Sequence, residues 1–175
     1  MGISSTGTIN VVQRVSSIQE VQDAVVKGLM EDVYFAKTRI PVLAENALDI
    51  VSSIRSALGR LGIVVVVQTP RLHCSGKAAD GHPVWTIDEY QVLVTEMPTT
   101  NRGRAGASTA LDTALHVAEV LHEMHLSVRD IEQTEEAGYV IVSVTATATA
   151  FFAYRRQDLP EAQAETQQQQ TQQQL

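Results

Sequence analysis

His116, Glu119, His122 and Glu123 recur at spacings of three and four along one stretch of chain. On a helix those spacings bring imidazoles and carboxylates to one face, where a divalent metal takes nitrogen and oxygen ligands. The segment continues His122-Glu123-Met124-His125, one residue short of the zincin spacing. Its two histidines then stand about 300° apart around the helix rather than about 400°. The expectation is a polar helix face with ordinary histidines. A metal-dependent hydrolase built on His116, Glu119 and His122 is the minority reading. His73 and Cys74 are adjacent, so a strand points them to opposite faces and disfavours a thiolate–imidazole pair. Ser75-Gly76-Lys77 looks like the end of a phosphate-binding loop, but the upstream glycine is missing and a strand pattern follows, so the amides would not converge on a phosphate. No catalytic, cofactor or metal residue is assigned from these patterns.

The segment Asn101-Arg102-Gly103-Arg104-Ala105-Gly106 is the other candidate. Two arginines before a helix start can hold an anion or pair with acids on a neighbouring subunit. A solvated loop is the plain alternative.

The elements that must position these residues are legible from hydrophobic spacing. Ser17-Ile-Gln-Glu20 reads as a capping box, and Ile18, Val21, Val25 and Leu29 follow at helical spacing, which predicts a helix over 17–30. Val33-Tyr34-Phe35 reads as a short strand, and Pro41 breaks the segment after it. Ala47, Ile50, Val51, Ile54, Ala57, Leu58 and Leu61 make the apolar stripe of a second helix, stopped by Gly62. A strand over 63–69 is β-branched enough to be buried on both faces, and 84–96 is expected to pair with it antiparallel across a turn at 75–83. Residues 98–106 read as a loop. Thr109 and Asp112 then cap a third helix whose buried stripe is Leu111, Ala114, Leu115, Ala118 and Leu121. A strand over 128–134 and a turn over 135–138 lead to a long last strand from Tyr139 to about Tyr154. In that strand Val140, Val142, Val144, Ala146, Ala148 and Ala150 alternate with Ser143, Thr145, Thr147 and Thr149, the period of a half-buried strand.

The fold class expected is α+β: a single mixed or mainly antiparallel sheet of four to five strands, with about three helices on one face. Residues 1–16 form a flexible arm and 17–156 the structural domain. Residues 157–175, mostly Gln, Glu, Ala and Thr, read as a disordered glutamine-rich tail that cannot bury enough apolar surface to order.

The chain has 175 residues, enough for one core, and a net charge of −7. Without the three acids from Asp158 onward, 17 acids face 13 bases, or −4. That balance argues against general nucleic-acid binding, which wants a basic footprint. One cysteine, Cys74, excludes an internal disulfide. The first ten residues lack a basic and an apolar region, so they do not read as a secretory signal, and the longest apolar run, Ile63 to Val67, cannot span a bilayer. A soluble, intracellular-type domain is expected.

The stretch Tyr90-Gln-Val-Leu-Val-Thr-Glu-Met-Pro98-Thr-Thr-Asn101-Arg102, followed by a capped Ala-rich helix ending Leu121-His122, is similar to small proteins of phage and prophage tail modules. The order of elements over 18–153 resembles the tail terminator and head–tail joining subunits of long-tailed bacteriophages. The resemblance implies a non-enzymatic virion protein without a cofactor. It implies a homo-oligomeric ring, expected to be a hexamer, that caps the tail tube and meets the neck or connector proteins. DNA would pass through the ring without sequence-specific binding. The protein would reside in the virion tail or neck, and in the host cytoplasm during assembly. Rings use heterologous contacts, so Arg102 and Arg104 are expected at a subunit boundary opposite acids such as Glu132, Glu135 or Glu136. The alternatives are a tail completion or tube protein and a small cellular protein-binding module.

Overall fold

The computed structural model describes residues 18–77, 83–104 and 106–153. Ser17 of the expected capping box, the arm at 1–16 and the tail at 157–175 lie outside the described residues. Helix α1 (Ile18–Glu31) buries Val21, Val25 and Leu29 on one stripe. Gln22 is buried beside them, and its amide donates to the Val67 carbonyl at 2.8 Å.

The strand expected at Val33-Tyr34-Phe35 is instead a helix, α2 (Val33–Thr38). Asp32 caps it by accepting a hydrogen bond from the Tyr34 amide at 2.8 Å, and Arg39 closes it in the left-handed conformation. Three apolar residues in a row therefore make one helical turn, of which only Phe35 is buried. Pro41 leads into β1 (Val42–Ala44), a strand too short to show periodicity. Helix α3 (Ile50–Leu61) begins at Ile50 rather than Ala47 and ends at Gly62 (φ +74°).

Strand β2 (Ile63–Val67) is buried throughout, as its β-branched run predicts. The chain then forms an unexpected strand, β3 (Arg71–Lys77), before the long β4 (Pro83–Glu96). β2 and β3 lie end to end against β4: Ile63 to Val67 oppose Glu96 to Val92, and Arg71 to Lys77 oppose Glu89 to Pro83. In β3 the alternation of Leu72 and Cys74 with Arg71, His73 and Ser75 is too short to stand out before Gly76; the backbone ladder to β4 holds it. A four-residue helix, α4 (Pro98–Asn101), sits inside the expected loop. Helix α5 (Ala110–Glu123) starts on the expected capping box of Thr109 and Asp112. Strands β5 (Ser127–Glu136) and β6 (Tyr139–Ala153) form the last hairpin, with Glu135 and Glu136 still in the strand and only Ala137-Gly138 in the turn.

The result is an α+β fold with a six-stranded mixed sheet in the order β1-β2-β4-β6-β5, with β3 beside β4. Among the described strands only β1 and β2 are parallel. The strand and helix counts among the described residues exceed the expectation: six strands against four to five, and five helices against about three.

The helices do not share one face. The main core lies between the sheet and α1, α2 and α5. A second, smaller core lies on the opposite face, where Ala57 and Leu58 of α3 pack on Val64 and Val66 of β2. This explains the unbroken apolar run of β2: alternate valines serve different cores, each side chain adding about 1.5–3 kcal/mol of transfer free energy. The stripe expected on α5 is also turned. Ala110, Thr113, Ala114, Val117, Val120 and Leu121 are buried, while Leu111 and Leu115 are exposed. The shift amounts to roughly 100°, one residue of helix. Small and β-branched side chains let α5 lie close on the sheet, and the two leucines are left outside.

Candidate functional site

One end of the sheet gathers the C-terminus of α3, the end of β4, the start of α5 and the β5–β6 turn. Gly62 determines how closely these meet. A Cβ built on it would fall 2.4 Å from the Asn101 backbone nitrogen, so only glycine admits α4 at this distance. The Met97 amide donates to the Gly62 carbonyl at 2.7 Å and fixes the approach.

Glu96 ends β4 and is buried, yet it is fully engaged. One carboxylate oxygen accepts from the Asn101 side-chain amide at 2.8 Å, and the other from the Ala110 amide, first in α5, at 2.7 Å. Asn101, also buried, donates its second amide hydrogen to the Ser108 carbonyl at 2.8 Å. The carboxylate thus sits where the helix dipole favours negative charge, and Asn101 ties both ends of the intervening loop together. The Asn101 side-chain oxygen is buried without a hydrogen-bond partner among the described residues.

On this frame the expected interface residues can be placed. Arg104 is half-buried and donates to the Leu61 carbonyl at 2.9 Å, which satisfies a free carbonyl at the end of α3. Arg102 is exposed and has no ion-pair partner within 4 Å among the described residues. A groove of about 570 Å³ is lined by Arg102, Arg104, Glu135, Glu96, Asn101 and Leu111, among others. A second, of about 410 Å³, is lined by Arg102, Glu135, Glu136 and the Ala137-Gly138 turn. Arg102, Arg104, Glu135 and Glu136 therefore share one end of one subunit. Glu132 lines neither groove; it lies farther along β5, opposite Ser143. The open grooves place two guanidinium groups and two exposed carboxylates along a lining of mixed polar and apolar residues. That composition suits polar recognition of a protein segment.

The minority candidates end differently. His116 stacks on Tyr34 with ring centroids 3.9 Å apart, its Nδ1 lies 3.0 Å from Glu119, and the Tyr34 hydroxyl lies 3.0 Å from that of Thr113. Glu119, His122 and Glu123 are exposed, and among the described residues no three His, Cys, Asp or Glu side chains converge to hold a metal. Cys74 is exposed on β3, its Sγ 3.5 Å from the Gly76 carbonyl. Ser75-Gly76-Lys77 lies on that strand and not at a helix start.

Sequence reasoning gave Glu96 and Asn101 no physical role. Their signal was present in a polar pair bracketing Pro98, but their partners come from Ser108 and Ala110 and from the close approach of Gly62. The exposed apolar residues were also missed. Leu48 (95% exposed) and Val51 (67%) lie at the start of α3 near the β1 edge, and Leu111 and Leu115 lie on α5. No described helix is long and apolar enough to cross a membrane. Compared with known proteins, the chain matches no family model and no curated protein.

Proposed function

We propose that this chain is a non-enzymatic structural subunit of a long-tailed bacteriophage virion, a tail terminator or head–tail joining protein that forms a ring at the head-proximal end of the tail. The observation that carries the reading is the unlike character of the two sheet borders. At one, β5 pairs among the described strands only with β6, leaving a ten-residue, largely exposed strand. At the other, the short β1 edges β2, and α3, which packs on β2 with Leu43 of β1 against the same cluster, leaves Val51 exposed. A ring needs two different, mutually complementary surfaces on each subunit, and an open strand edge is a ready template for association. The similarity over Tyr90–Arg102 supports the same reading, since Glu96 and Asn101 brace the segment that carries it.

Arg102, Glu135 and Glu136 line one groove of a single subunit, so the ring contact in this reading falls to the two unlike borders and not to this patch, which would have to meet itself. The acidic balance of the ring lets DNA pass without being gripped. The neighbours along the tail are the tube protein and the neck proteins.

Mass measurement of the full chain with negative-stain imaging tests the proposal. Six-membered rings of roughly 115 kDa, six times 19.1 kDa, are expected. Rings that stack into tubes would move the protein to the tube itself. A chain that stays monomeric alone and does not cosediment with assembled tail tubes overturns the reading.

A further inference from the structure

Among the described residues, the second face of the sheet is only half covered. α3 shields β2, with Leu43 of β1 beside it in that core. Across β4, β6 and β5 the same face presents Leu93, Thr95, Ile141, Ser143 and Thr145, all half-buried, and no described helix packs across β5 and β6 there. The register puts Asp130 opposite Thr145, Glu132 opposite Ser143 and Glu136 opposite Tyr139, so these acids border the uncovered face. β5 as a whole carries four acids against one base, Arg129.

The outward side of α3 has the complementary character. It presents Val51, Arg55, Ser56, Gly59 and Arg60, and the helix contains two arginines and no acid. Gly59 is the telling position. A Cβ there would meet nothing within 4 Å, so the subunit's own packing gives no reason for a residue that costs a helix interior about 1 kcal/mol relative to alanine. A neighbour approaching closely does give one.

We infer that α3 of one copy seats on the uncovered β5–β6 face of the next copy, with Arg55 directed at Asp130 and Glu132. The contact rests on the ring-subunit reading and specifies its surfaces. It joins two unlike surfaces, and in the ring reading each copy's α3 meets the next copy's sheet head-to-tail. It buries Val51 and extends the half-built second core from one subunit to the next. Charge complementarity selects the register and disfavours like faces meeting.

Sedimentation of the full chain tests it. Arg55→Glu and Glu132→Lys are exposed substitutions, and each is expected to weaken self-association about tenfold, while the double variant recovers to within about threefold of the native chain. Gly59→Gln is expected to leave the unfolding midpoint unchanged or higher and to weaken association by a similar factor. Single variants that associate as tightly as the native chain, or a double variant as weak as either single, overturn this contact and leave the ring reading standing. A native chain that stays monomeric at its highest soluble concentration overturns this contact, and the ring reading falls with it only when the chain also fails to cosediment with assembled tail tubes.

Discussion

Tyr90 lies in the main core beneath α1, its phenol oxygen buried with no hydrogen-bond partner among the described residues. Burial, and to a lesser degree the Asp23 carboxylate, push its ionisation well above the ordinary phenol range. The sign of the linkage follows. The folded state holds the proton more tightly than the unfolded state, so this contribution is complete below the unfolded value, near about 10, and is lost as pH rises above it. Tyr90→Phe keeps the ring and removes the orphan hydroxyl. It is expected to change stability near neutral pH by no more than about 1 kcal/mol, in the stabilising direction. Above about pH 10 the variant should lose stability less steeply than the native chain in denaturant titrations; equal slopes would refute the assignment. At this scale the sequence was least informative. Tyr90 reads as one more strand aromatic, and Glu96 as an ordinary surface acid. What makes each unusual is the environment supplied by distant elements, α1 for the first and Gly62, Ser108 and Ala110 for the second.

Elements were legible where a residue pattern repeats over several turns or pleats. α1, the body of α3 and the alternation of β6 over 142–147 stand where their spacing predicts, and the alternation expected at 148–150 lies outside the described side chains. The misses share a cause. α2, β1 and α4 are too short to repeat a period, and backbone groups or a single cap hold them. For α5 the choice between faces was decided by tertiary packing: close approach to the sheet favoured Thr113, Val117 and Val120 over the larger Leu111 and Leu115. The candidate site inherits this division. Its arginines were visible as a motif, whereas the grooves they line depend on the unforeseen α4 and on β5 running on through Glu136. The β5–β6 turn offers a check at this level. Ala137 has φ +49° and Gly138 φ +83°, the signs of a type I′ hairpin turn, in which alanine is strained. Ala137→Asn is expected to raise stability by about 1 kcal/mol, measured as a shift in the denaturation midpoint at constant slope. An unchanged or lower midpoint would mean that the left-handed conformation costs nothing here.

For the whole molecule, the class of fold was readable because alternating and helical patterns fall on different stretches of chain. The placement of α3 was not, since a helix stripe does not say which face of a sheet it meets. That placement makes β2 the most enclosed strand, with β1 and β4 along its edges and helices over both faces. β5 is its opposite, paired on one side and largely exposed. The two strands should therefore differ widely in amide hydrogen exchange. β2 amides exchange when the entire molecule opens, and β5 amides during local fluctuations. A neighbour settling on the open border would slow exchange at 127–136 and leave 63–67 to report the global opening rate. Each molecule thus contains both a probe of occupancy and an internal reference, so one exchange series on the unaltered protein can distinguish assembly from mere stabilisation.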